Sequence, residues 1–504
     1  NAIQIADIGN DSLQIERGSA LDIGFNPSCS FGVVTTHPNG NGNFRLTTSW
    51  TSGSTFAFPA GDFSDFNINL GTTELYSTNP NAGTTYWLPN GILSYGNLIL
   101  SPLGGSNIIF PNNNLTIYGN LITRGQNADS WFCPSWDSNY PTAPTTRIAK
   151  TITIFGNLDI QGGALIWYGN GTITQNFVVY GDVKVAPNAA IQAYSGATSQ
   201  NMSIGGNLIN NTVGTTAGGT TTIRQCNFSL VPVTFFGNTS ATISNTLNSP
   251  LTVFDKVILN KGNSQATTLT ISIGGTLTTL TDNWLTLQNG TLIYNRTGNL
   301  NIATGTPLVI PASAGLTLNN SPSNITIGTN TTSGTILSLS GKLKLSSNFT
   351  GNVYIGTNGT TAASHNDIQY SSAGTSAIEI ASGNLFVNGQ IRRDPSNASG
   401  ILSYTQTGGN VTILGNAVAA SPANTNNAKL EVLNDGSQFT MTGGNLTLVR
   451  GGGGNIFGDL YLRPASGSVT GGTITLAPAA TGNQTFQIES SLPLNNLTLS
   501  GSAG

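Results

Sequence analysis

The sequence predicts an all-β fold, a right-handed parallel β-helix (β-solenoid) of roughly 20 coils with an atypical N-terminal cap region. Three observations carry that expectation. A five-residue pattern, Gly, then Asn, Asp or Lys, then an aliphatic, any residue and a second aliphatic, returns along the chain. Its copies at Gly96, Gly119, Gly156, Gly181 and Gly206 lie 23, 37, 25 and 25 residues apart. Only 7% of the 504 residues are charged, whereas 38% are hydrophobic and 63 are Gly.

The pattern identifies strands. Copies include GNLIL at Gly96, GNLDI at Gly156, GDVKV at Gly181, GKLKL at Gly341, GNVYI at Gly351, GNLFV at Gly383, GNVTI at Gly409, GNLTL at Gly444 and GDLYL at Gly458. The fourth position varies through Ile99, Asp159, Lys184, Lys344, Tyr354, Phe386, Thr412 and Tyr461, while its neighbours stay aliphatic. Alternate residues of a strand point to opposite faces, so the aliphatic pair faces a core and the variable residue faces water. The preceding Gly and Asn are read as a turn in the left-handed region that these residues tolerate.

Spacing distinguishes the solenoid from other repeats. A coil of about 22 residues accommodates two or three short strands and their corners, and is too short for a propeller blade. Stacked coils repeat at ~4.8 Å, which places like charges of neighbouring rungs about 5 Å apart and makes charge costly there. Asn, Thr and Ser can instead form like-residue ladders.

The pattern divides the chain. Residues 1–90 show it poorly and concentrate aromatics, among them Phe31, Phe44, Phe58, Phe63 and Phe66, as expected of a cap or irregular first coils; residues 91–504 are the β-helix proper. The long interval after Gly119 marks an insertion at about 124–150 that reads as a protruding loop. Its Trp131, Trp136 and Tyr140 are candidate ligand-binding aromatics, equally readable as anchors for the loop itself.

Composition excludes several classes. Disorder combines low hydrophobicity with high net charge, but here the formal charge is -3. Collagen would need Gly at every third position. The 17 basic and 20 acidic residues are scattered, giving no stripe for a phosphate backbone, so nucleic acid is not an expected partner. No apolar run is long enough for a transmembrane helix. Cys29, Cys133 and Cys226 form neither a disulfide framework nor a zinc pattern. No cofactor, metal site or catalytic residue is assigned. Asn1 and Gly504 are the ends expected of a processed chain or a piece of a longer one.

Parallel β-helices also carry pectin-cleaving chemistry, which needs converging carboxylates or an acidic cluster with a basic proton acceptor. No Asp-Asp or Asp-x-Asp occurs. His37 and His365 are the only histidines, and the most charged neighbourhood combines Ser364-His365-Asn366-Asp367 with Arg392-Arg393-Asp394. It is read as a solvated turn, with a catalytic cluster as the sharper alternative.

FDKVILNKG from Phe254, GNLTLV from Gly444 and LPLNNLTLSGSAG from Leu492 resemble strand units of very long repetitive cell-surface proteins of Bacteroidetes, including gliding-motility adhesins exported by the type IX secretion route. The resemblance covers residues 90–504. It implies an extracellular, cell-surface location, attachment or filament building as the role, and as partners surface or substratum glycans and proteins with secretion and anchoring machinery. Asp11-Ser12-Leu13 resembles the short O-glycosylation site of these bacteria, making Ser12 a candidate acceptor. The expected function is therefore a non-enzymatic adhesive or structural rod, with gliding motility among the uses the resemblance implies. The alternative is a carbohydrate-active β-helix enzyme, a polysaccharide lyase or glycoside hydrolase.

Overall fold

The computed structural model describes residues 12–25, 29–36, 41–47, 53–77, 84–125, 130–134, 148–168, 173–194, 199–213, 224–247, 250–281, 283–302, 307–320, 324–328, 334–356, 366–371, 374–415, 428–451, 459–478 and 485–501. Parallel strands stack into a β-solenoid of about 14 turns, and the one helix among the described residues is Ser64–Ile68. Most turns carry three strands. Asn97–Ser101, Asn107–Ile109 and Leu115–Ile117 pair with Leu121–Arg124, Trp131–Cys133 and Lys150–Ile154 of the next turn. The expected coil of about 22 residues is too short. Rung-to-rung offsets run from 21 to 39 residues, most of them above 22, because corners take up extra chain, so the same length makes fewer turns than the 20 expected.

The chain forms two compact units. The first comprises Asn1–Gly237, Ala241–Val257 and Ile273–Leu280; the second comprises Asn238–Ser240, Ile258–Ser272 and Thr281–Gly504.

In the first unit, stacking already includes Ala20–Asp22, Asn43–Thr47 and Thr72–Tyr76, which pair in parallel up to Asn97–Ser101. The early aromatics fill this region's interior edge to face, with Phe58 and Phe63 centroids 4.9 Å apart and Phe31 and Phe44 6.0 Å apart. Beyond it, Leu98, Leu121, Leu158, Val183 and Leu208 form an inward column in register, each fully buried. Removing that aliphatic surface from water is the main stabilisation of the stack.

The corner before each strand is built differently from the sequence expectation. Gly119, Gly156, Gly181 and Gly206 do not have positive φ. Each instead donates its N–H to the carbonyl of the preceding rung's Gly at 2.8–3.0 Å. A Cβ on Gly156 would lie 2.6 Å from the Gly119 carbonyl and from Asn120 Oδ1, so glycine is required by close approach between rungs. The next residue forms a second ladder. Asn97, Asn120, Asn157, Asp182 and Asn207 each accept, through Oδ1, the backbone N–H one rung on, at 2.7–2.9 Å, ending on Thr242.

In the second unit the left-handed expectation holds at Gly409, whose φ is 65°. Here the motif's Asn residues form an amide ladder: Asn352, Asn384, Asn410 and Asn445 donate Nδ2 to Oδ1 of Asn324, Asn352, Asn384 and Asn410 at 2.7–2.8 Å. Val353, Leu385, Val411 and Leu446 form the buried column behind it. Period two holds at most fourth positions, including Asp159, Lys184, Tyr354 and Thr412, but Ile99 and Tyr461 are buried.

Where charges enter rungs they alternate. Arg45 stands in register between Asp22 and Glu74, pairing with them at 3.1 and 2.8 Å. Lys344 likewise faces Glu379 at 2.9 Å. Opposite charges make the short rung spacing favourable where like charges would make it costly.

Candidate binding face

One strand stack of the first unit presents an uncharged, partly aromatic surface. It comprises Leu115–Ile117, Lys150–Ile154, Gln175–Val179, Gln200–Ile204 and Val233–Gly237. Registers align Thr116, Thr153, Val178, Ser203 and Thr234 as one outward column. A second column holds Asn114, Thr151, Asn176 and Asn201. Asn114 Oδ1 accepts the Thr151 N–H at 2.8 Å, whereas the side-chain bonds from Asn176 to Thr151 and from Asn201 to Asn176 are long, 3.4 and 3.3 Å.

The third column lies just before the tight Gly corner, in the order Tyr118, Phe155, Tyr180, Gly205, Phe236. Backbone bonds hold it in rung order: Phe155 N–H to the Ile117 carbonyl, Tyr180 N–H to Ile154 and Gly205 N–H to Val179, at 2.7–2.9 Å. Tyr118 and Phe155 rings are 6.2 Å apart at 8°, Phe155 and Tyr180 5.0 Å apart at 22°, and Phe236 meets Tyr180 edge-on at 5.2 Å across the side-chain gap at Gly205. Tyr118, Phe155 and Tyr180 are 39%, 48% and 49% exposed. Lys150 is the charged residue in these strands, and it is buried, with Nζ donating to the Pro111 carbonyl at 2.6 Å. Burial lowers its pKa to about 7, opposed by the nearby Cys133 thiol, itself pushed up by burial.

The insertion at 124–150 is not wholly a protruding loop. Trp131–Cys133 is a strand of the stack, with Trp131 opposite Ala164. Trp131 packs half-buried against the cluster of Trp87, Ile109, Cys133, Ala164, Ile166 and Ala190. Its ring lies 6.0 Å from both Tyr168 and Tyr194, which stack on each other at 5.0 Å. Trp136 and Tyr140 lie outside the described residues, as do His37, Ser364 and His365. Ser12 is exposed at the start of Ser12–Gln14, which pairs with Ser30–Thr35; Asp11 lies outside the described residues.

The charged neighbourhood around residues 366–394 is a set of rung-to-rung pairs. Asp367 is fully buried; it accepts Arg392 Nε and the Gln390 N–H, both at 2.8 Å. Arg393 pairs with Glu431, which also faces Lys429 at 3.9 Å. Burial lowers the pKa of Lys429, against the Glu431 charge. Asp394 caps its own turn through the Ser396 N–H and hydroxyl. Among the described residues, no group of three or more His, Cys, Asp or Glu is arranged to hold a metal ion, and no helix is long and apolar enough to cross a membrane. All three cysteines are buried, and none is in a disulfide.

The aromatic column has a sequence signal of its own, one position ahead of the Gly motif. Tyr118-Gly119, Phe155-Gly156 and Tyr180-Gly181 place an aromatic immediately before three successive corners. Tyr168 and Tyr194 carried no such mark; register alone brings them to Trp131. No protein-family model matches the sequence, and comparisons with curated proteins and with solved structures give no match.

Proposed function

We propose that the chain is an extracellular, non-enzymatic solenoid scaffold of a bacterial cell surface, part of an adhesin or surface filament that mediates attachment. The observation that carries this reading is the row of exposed rings at Tyr118, Phe155 and Tyr180, held on a rigid strand stack and displayed to water. Aromatic side chains displayed on fixed backbone contribute large contact area with little ordering cost on binding. Repetition along the stack would add weak contacts through effective concentration. The buried carboxylates Asp367 and Glu431 are each engaged by an arginine, which supports a structural role for them. The resemblance to Bacteroidetes gliding-motility adhesins places export by the type IX route and gliding within the same reading.

Antibody raised against the purified chain should label intact cells of the producing organism, and cells lacking the chain should attach to surfaces less. Label appearing only after permeabilisation, with attachment unchanged, would refute the proposal. Depolymerisation of a glycan by the pure chain would instead establish the enzymatic alternative.

A further inference from the structure

We infer that the face carrying Tyr118, Phe155 and Tyr180 binds an extended chain of neutral sugars laid along the stacking direction. The inference rests on the adhesive reading and names the ligand class of that scaffold.

Three features of the face lead to it. First, the rings recur once per rung, with centroid separations of 6.2 and 5.0 Å. At such separations near-parallel rings are offset, so each covers only part of the next, and 39–49% of each residue stays exposed. An extended polysaccharide also repeats one ring per step, and its step is close to that of the rungs. Its C–H faces are apolar and its hydroxyls project at the edges. A row of half-exposed aromatics beside hydroxyl and amide columns offers both surfaces in the same order.

Second, the polar columns have hydrogen-bonding capacity to offer. The Asn176 and Asn201 side-chain bonds are 3.4 and 3.3 Å, at or beyond the usual outer limit for N–H···O. The amide ladder of the second unit is closed at 2.7–2.8 Å from Asn324 to Asn445. Sugar hydroxyls are both donors and acceptors, and can match amides and the hydroxyls of Thr151, Thr153 and Ser203 without fixed polarity.

Third, the outward columns carry no charge. A polyuronate would bring a carboxylate per residue onto columns that hold no facing cation among the described residues from Asn114 to Thr234, Lys256 following only on the next rung, which electrostatic complementarity disfavours. Lys184, on the adjoining stack, lies 3.8 Å from Asp182.

The test uses the purified full chain in native gels containing hydroxyethylcellulose, xyloglucan, galactomannan or polygalacturonate. At least one neutral polymer should retard it, and the retardation should persist at high salt. The double variant Phe155→Thr/Tyr180→Thr should bind about tenfold more weakly. Tyr354→Thr/Phe386→Thr, which removes the stacked pair at 5.2 Å in the second unit, should bind as the parent does. Ser203→Glu keeps every ring and should also weaken binding, so the result does not hang on whether the ring variant folds. The inference is overturned if no neutral polymer retards the chain, if both ring pairs matter equally, or if only polygalacturonate binds. In any of these cases, surface labelling and attachment loss would still uphold the adhesive scaffold; glycan binding without them would reject the scaffold and keep the face.

Discussion

Replacing Asn120 with alanine removes the Oδ1 that accepts the Asn157 N–H at 2.8 Å. An unsatisfied buried donor costs about 1–3 kcal/mol. Asn157 is only half-buried, so water restores part of the bond and the low end applies, ~1–2 kcal/mol. Solenoid stacks need not unfold in one step, so the local readout is amide exchange. Peptides spanning residues 150–165 should exchange roughly 5- to 30-fold faster in Asn120→Ala. Asn120→Asp retains the acceptor with Asn97 and Asn157 as uncharged ladder neighbours, and Asp182 already occupies the same ladder, so its exchange should stay close to wild type. If alanine leaves exchange unchanged, or aspartate is as damaging as alanine, Asn is there for turn preference and the ladder contributes nothing.

Other perturbations test the core, the buried charges and the corner. Val411→Ala opens a cavity in the second unit's fully buried column and should lower stability by ~1–3 kcal/mol, read as a shift in the denaturation midpoint. Arg392→Ala leaves Asp367 buried without its cation and should cost about 3–5 kcal/mol, whereas Asp367→Asn keeps an acceptor for the Gln390 N–H and should cost less in the same denaturation assay. Lys150 binds fewer protons folded than unfolded between its lowered pKa of about 7 and its ordinary value of 10.5, so its penalty is full below pH 7 and relieved as pH rises through that window. Stability differences between wild type and Lys150→Met, measured from pH 6 to about 10, should therefore move in favour of wild type as pH rises. Gly181→Ala would set a Cβ 2.5 Å from the Gly156 carbonyl and should destabilise by ~1–3 kcal/mol without any φ strain, seen as lost protection in both adjoining rungs.

The strands were legible because their signal is local. GNVTI at Gly409 contains its own period-two alternation, and Val411 and Ile413 are buried as that alternation requires. Scarce charge also reads through to structure, since Arg45 is flanked by Asp22 and Glu74 at rung distance. What could not be read depends on partners about one turn away. Gly156 looks like any turn glycine until the carbonyl of Gly119 is set above it. Asp367 and Arg392 are 25 residues apart, and only the turn length brings them together. The expected coil number exceeds the observed one because corner residues carry no periodicity. Tyr118, Phe155 and Tyr180 become a row only when the 37- and 25-residue offsets are known.

The Gly–Asn corner has a consequence for how such a chain can change. A one-residue slip within a strand would turn its aliphatic residues outward. The corner resets the phase at the start of each turn, by a glycine contact and an Oδ1 bond that tolerate no displacement. Asn120 to Asn157 spans 37 residues and Asn157 to Asp182 spans 25, yet both steps close with the same bond. Segments elsewhere in a turn are thus free to lengthen, shorten or be exchanged without propagating an error into the next one. Insertion and deletion, which disrupt most folds, become the easy mode of variation, and grafting a foreign segment between strands should leave every later rung in place.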